Sequence, residues 1–186
     1  MDRHSYFNDF QGQSFSGVAI LPFASDGKGP APRFNPDDFQ PKGHRKEAVI
    51  DVIDEAILFY RANVFLKEYE VKGDADRLLL YLTLYITELL KEFSRQSSLK
   101  AAEGVAYQLA NKSWPIPGSK GFPLAVFYKD SDKKDQDFLE SYLLQARLEI
   151  GSRLAKKVFR KGKGDKWWLL FSSYEFLGKS LTKSNN

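Results

Sequence analysis

Apolar side chains recur along this chain in three kinds of run, and the densest defines its centre. Residues 78–93 read LLLYLTLYITELLKEF, apolar on nearly every face of a helix. A surface helix carries one apolar stripe, whereas a helix apolar all round must be enclosed by the rest of the fold. The pattern predicts a buried central helix over 74–93, with Leu78, Leu79, Leu82, Tyr85, Ile86 and Leu89 as core. Asp74 is expected to cap it after Gly73, and Asp76 to add negative charge to its first turn. Thr83 and Thr87 lie one turn apart, where each hydroxyl can bond back to the preceding turn. A membrane span is excluded because the run is short and is flanked by Asp74, Asp76, Arg77, Glu88, Lys91 and Glu92.

The second kind of run has helical spacing and a polar face. Val49, Ile53, Ala56, Tyr60 and Val64, widened by Val52, Ile57 and Phe65, predict a helix that starts within 46–51 and ends near Tyr69. Ser97 or Ser98 should cap a weaker helix over 99–110, interrupted by Gly104. Leu139, Leu143, Ala146, Ile150, Leu154 and Val158 predict a long helix over 132–159, in which Gly151 either permits close packing or only weakens the turn. After RKGKGD (160–165) a last helix is expected over 166–177, stopped by Gly178.

The third kind is short and continuous. GVAILPF (17–23) suits a strand or a buried extended segment, and LAVFY (124–128) is its counterpart, so a minimal pairing of 17–23 with 123–128 is expected. Residues 25–46 and the start of 114–128 are dense in proline and glycine and read as loops. Residues 1–16 show no helical period and are expected to form an extended or partly disordered arm. The expected fold class is all-α: residues 1–186 form a single helical domain with one central helix, preceded by an extended arm and loop over about 1–46.

Composition narrows the chemistry. The 186 residues are 42% hydrophobic and 28% charged, ordinary for a globular chain, but 15% aromatic, which favours large cores and interfaces. There is no cysteine, which removes disulfides, thiol catalysis and cysteine metal sites. No apolar stretch of signal-peptide type opens the chain. The two histidines, His4 and His44, lie in predicted loops without converging partners and are expected to be plain surface residues. KDSDKKDQDFLE (129–140) begins like a calcium loop, but Lys134 stands at a ligand position and Asp135 where the turn glycine belongs. It reads instead as a helix start capped by Asp132 or Asp135. No phosphate-binding glycine motif occurs, and the acids at Asp54-Glu55 and Asp74/Asp76 suit helix starts better than a catalytic pair. No cofactor, metal, membrane or small-molecule substrate is expected.

The remaining signal is a basic corner. Lys156, Lys157, Arg160, Lys161, Lys163 and Lys166 precede Trp167 and Trp168 directly. Three readings are open: solvated charge at a helix end with core tryptophans, a protein-docking surface, or an RNA-binding adaptor built on 156–168.

Several blocks carry a family resemblance. They are GPAPR (29–33), DEAILFYRANVFLKEYEVKGDADRLLLYLTLYITELLK (54–91), WPIPGSKGFPL (114–124), RLEIGSRLAKKVF (147–159), and KWW with FLGKSL (166–168 and 176–181). In this order they resemble the family of subunit 3 of the actin-related protein 2/3 complex, the seven-subunit nucleator of branched actin filaments. The linker 34–50 looks longer than in that family, and the arm matches it poorly. The resemblance implies a helix surrounded by others and a non-catalytic, structural role. It further implies binding to actin-related protein 3, proximity to actin-related protein 2 in the activated assembly, contact with other subunits and the actin filament, and a place in the cytoplasmic actin cytoskeleton.

Overall fold

The computed structural model of the chain describes residues 2–37 and 49–182. His44, most of the linker 34–50 and the earliest expected helix start (46–48) lie outside the described residues. Among those described, five α-helices account for most regular structure: α1 (Val52–Asn63), α2 (Asp74–Phe93), α3 (Leu99–Ala110), α4 (Lys133–Val158) and α5 (Lys166–Leu169). One small antiparallel hairpin joins β1 (Ser14–Phe15) to β2 (Val18–Ala19). The chain is mostly helical.

Helix α2 touches α1, α3, α4, α5, β2 and a 3-10 turn at Leu170–Ser173. Its side chains from Leu78 to Leu90 are buried on all faces, including Leu78, Leu79, Leu82, Tyr85, Ile86 and Leu89. Enclosure is tolerated because most of its buried polar side chains are satisfied, the Tyr85 hydroxyl being left without a hydrogen-bond partner among the described residues. Thr83 Oγ1 donates to the Leu79 carbonyl at 2.7 Å and Thr87 Oγ1 to that of Thr83 at 3.1 Å. The start of α2 differs from expectation. Gly73 is the extended N-cap, and Asp74 is already helical and pairs with Arg77 at 2.6 Å. The capping acceptor comes from the distant arm: Asn8 Oδ1 accepts from the Asp76 N–H at 3.0 Å.

The expected sheet is replaced by a different one. β2 pairs with β1 in the register Ser14↔Ala19 and Phe15↔Val18. Ser16 (φ 52°) and Gly17 (φ 77°) turn between them, both in the left-handed region that a two-residue type I′ hairpin needs. Residues 125–127 form a 3-10 turn, and local bonds such as Phe127 N–H to Leu124 O and Tyr128 N–H to Ala125 O hold it. With its donors engaged locally, that segment has no ladder to offer 17–23. Beyond β2 the chain stays extended and buried, and side chains serve its backbone. The Tyr142 hydroxyl accepts from Leu21 N–H at 2.9 Å and donates to Leu21 O at 2.8 Å.

Three other boundaries shift. α1 begins at Val52, capped by Asp51, and ends at Asn63, so Phe65 falls outside it. Ser98 caps α3 through the Ala101 N–H, and the helix runs through Gly104. α4 closely follows the expected span, with Asp132 accepting from Asp135 N–H as its cap. Gly151 of α4 faces α3 so closely that an added Cβ would stand 3.1 Å from that of Ala106, the close-packing alternative. The last helix is short: α5 passes into 3-10 geometry at Leu170. Leu177 and Gly178 (φ 52° and 66°) then form the turn of a bridge between Phe176 and Lys179, so Gly178 closes a β-turn and stops no helix.

Candidate interaction surface

The basic corner is built by the end of α4. Leu154, Ala155 and Val158 take its inner face, leaving Lys156 and Lys157 exposed in the last turn, where the helix dipole favours cations. Gly162 N–H bonds to Phe159 O at 2.9 Å and Asp165 N–H to Val158 O at 2.8 Å, folding the loop back on the helix end. Arg160, Lys161, Lys163 and Lys166 therefore point outward. Among the described residues none of the six cations has a side-chain ion pair. Asp165, the one acid nearby, caps α5 by accepting from Trp167 N–H at 2.8 Å. An open groove of about 700 Å³ runs through the corner, lined by Lys157, Arg160, Lys161, Lys163, Lys166 and both tryptophans. Lys156 lies outside that lining.

The two tryptophans separate. Trp167 is 72% exposed, whereas Trp168 is 4% exposed and lies against the Tyr60 ring at 6.2 Å between centroids. Arg61 stands over the Trp168 ring, 4.4 Å from its centroid, and 5.9 Å from that of Phe171. Arg61 thereby joins the basic groove to an aromatic face absent from the sequence reading. Phe65 (55% exposed) meets Tyr174 (42%) edge-on at 5.0 Å and Phe171 in a tilted contact at 5.5 Å, and Leu170 (60%), next to Phe171 in the chain, is exposed as well. The helical period places Phe65 on the core stripe of α1, but the helix ends at Asn63. The earlier end of that helix turns it outward.

The titratable groups that are buried hold the chain's own segments together. The arm is packed, in contrast to the extended or partly disordered state expected. Glu55 and Asp76, both fully buried, receive it. Ser5 Oγ and Tyr6 N–H donate to Glu55 at 2.7 and 2.6 Å. Ser5 N–H and Asn8 Nδ2 donate to Asp76 Oδ1 at 2.7 and 3.0 Å. Burial, set against the bonds from Ser5 and Tyr6, raises the Glu55 carboxyl from 4.5 to about 8. His4 is no plain surface residue: its Nδ1 lies 2.8 Å from Asp76 Oδ2 and its ring packs on Tyr69 at 5.1 Å. Its Nε2 is 2.9 Å from Asp2 Oδ2 but makes no aligned hydrogen bond. A second lock joins α4 to α1, where Arg153 donates to both oxygens of buried Asp51 at 2.7 and 2.8 Å and also meets Asp54 and Glu149. Asp51 accepts from Ala24 N–H at 2.7 Å and from Asp54 N–H at 3.0 Å. Among the described residues no three histidine, aspartate or glutamate side chains converge as metal ligands, and no helix is long and apolar enough to cross a membrane.

Comparison with known proteins now defines the class. The family described as "P21-Arc: ARP2/3 complex ARPC3 (21 kDa) subunit" matches residues 1–181, the arm included. A probable actin-related protein 2/3 complex subunit 3 of Caenorhabditis elegans is 39% identical over 89% of this chain and 86% of its own length. Subunit 3 of Dictyostelium discoideum is 36% identical over 97% of this chain and 100% of its own length, and that of Arabidopsis thaliana 35% over 95% and 97%. The class is a structural subunit of a larger assembly, not an enzyme. The chain belongs to the family of ARP2/3 complex subunit 3.

Proposed function

We propose that this chain acts as one helical unit that binds actin-related protein 3 and helps hold together the actin-related protein 2/3 complex. In the activated assembly it lies near actin-related protein 2 and the actin filament, in the cytoplasmic cytoskeleton, and contributes to nucleating branched filaments. The observation that carries this reading is the near full-length identity with proteins named as subunit 3 in nematode, slime mould and plant. Continuity of the buried apolar cluster from Phe7 to Leu181 supports a rigid unit suited to a fixed place between neighbours. Affinity purification of the tagged chain from its own cells tests the reading. The expected result is co-purification of actin-related proteins 2 and 3 in fixed ratio, unchanged by ribonuclease. Their absence, or recovery of partners lost on ribonuclease treatment, would replace it with the RNA-adaptor reading of 156–168.

A further inference from the structure

The groove at the end of α4 and the aromatic face beside it are two halves of one surface, and among the described residues no ion pair neutralises the groove and no segment covers the exposed rings. Removing the six corner cations would take the formal charge of the rest of the chain from +4 to about −2, so the net basicity resides here. The cations repel one another and lack acidic partners among the described residues, apart from Asp165, which is engaged as a cap. Next to them, Phe65 and Tyr174 are exposed yet ordered by an edge-to-face contact with each other and by tilted contacts with Phe171, and Leu170 is exposed in the same segment. Trp167 and Leu170 lie one turn apart on the segment that joins the halves, and Arg61 bridges them at Trp168 and Phe171. Rigid aromatic side chains with an arginine, flanked by solvated charge, match the anatomy of a protein-binding hot spot with a polar rim.

Resting on the function proposed above, we infer that Trp167, Leu170, Tyr174 and Phe65 anchor a neighbouring folded subunit, while the six cations steer and orient its acidic surface. The partner surface therefore carries carboxylates around an apolar patch. Single-stranded RNA fits less well. Stacking of successive bases needs several open ring faces, but Trp168 is 4% exposed with Arg61 over its ring, and Phe65, Phe171 and Tyr174 lean against one another at 49–88°, which leaves Trp167 alone open among these rings.

The anchor and rim roles separate kinetically. Truncating a hot-spot ring speeds dissociation, whereas reversing rim charge slows association in a salt-dependent manner. The experiment measures binding of the full chain to the actin-related protein 2/3 complex assembled without this subunit, at low and near-physiological salt. Trp167→Ala with Tyr174→Ala should raise the dissociation rate more than about tenfold, as expected for hot-spot positions. Arg160→Glu with Lys161→Glu should slow association several-fold at low salt and progressively less as salt rises. Tyr107→Ala, an exposed ring on α3, should bind like the unaltered chain. All four substituted side chains of the two double variants are exposed, and thermal melts matching the unaltered chain will show that folding is kept. Binding by the unaltered chain, with both double variants keeping its kinetics, would overturn this surface while leaving the function standing. So would an effect confined to Tyr107→Ala, or a charge reversal that lowers only RNA binding. No binding by the unaltered chain would overturn both.

Discussion

Replacing Glu55 by glutamine should remove a pH dependence that the packed arm imposes on folding. The Glu55 side chain is fully buried between α1 and the arm, and its carboxyl stands at about 8 in place of 4.5. Burial is the largest cause. Bonds from Ser5 and Tyr6 oppose it, and the charges of Asp76 and Asp51 add to it. An acid whose folded pKa is raised holds its proton longer in the folded state than in the unfolded one. The associated stability is complete below 4.5, falls as pH rises, and is gone above about 8. One proton gives a slope of about 1.4 kcal/mol per pH unit, so moving from pH ~5.5 to ~7.5 costs about 3 kcal/mol. For a chain of this size each kcal/mol is about 2–4 °C in melting temperature, a loss of about 6–12 °C. Glutamine is isosteric, keeps an acceptor for the Tyr6 N–H, offers a donor to Ser5 Oγ and does not titrate. Melting curves followed by circular dichroism at both pH values, for both proteins, give the test. Titrations common to the two cancel in the difference. Parallel shifts of the two proteins across that window would refute the reasoning, because Glu55 would then be either ionised in the fold or not enclosed by the arm.

Leu82→Asp combines the loss of about 1.5–3 kcal/mol of apolar burial with several kcal/mol of carboxylate desolvation at the centre of α2. Against a typical stability of about 5–15 kcal/mol this should abolish a cooperative melt, and a normal melt would show that α2 is not the centre. Gly104→Ala should stabilise by about 0.5–1 kcal/mol, since the site is exposed, helical and open to a Cβ. Gly151→Ala should gain nothing in the same melts, because its Cβ would crowd Ala106. Arg153→Met strands the buried Asp51 carboxylate and should cost about 3–5 kcal/mol in urea unfolding. Adding Asp51→Asn should return part of that loss, and an unchanged midpoint for the single variant would show that the lock contributes nothing.

The sequence made the helices legible where the cause was local. The period of Leu139 to Val158, the caps Asp132 and Ser98, and the unbroken apolar run of α2 each depend on neighbours within a few residues. What escaped depends on partners far along the chain. Nothing near Glu55 says that Ser5 will reach it, and nothing near Asp51 points to Arg153, 102 residues away. The arm looked featureless because its order comes from hydrogen bonds to α1 and α2, not from a pattern of its own. The sheet was misassigned because LAVFY has strand composition but closes its own 3-10 turn. At the corner, charge was plain from sequence. The opposite fates of Trp167 and Trp168 were not, since adjacent identical residues differ only in the face that tertiary packing selects. The aromatic face was hidden for a related reason. Phe65 fits the period of α1 but lies beyond its end, while Phe171 belongs to a 3-10 turn and Tyr174 is extended just after it, where a continued helix was expected.

The proposed function makes this chain a structural part of the actin-related protein 2/3 complex, without nucleating activity of its own. Branch counting by fluorescence microscopy tests it most directly, using actin-related protein 2/3 complex assembled without this subunit and titrated with the purified chain. The expected result is few branches before addition and a rise that saturates at one chain per complex, while the chain alone produces none. A branch count that does not respond to the chain, although the incomplete complex is active, would contradict the account.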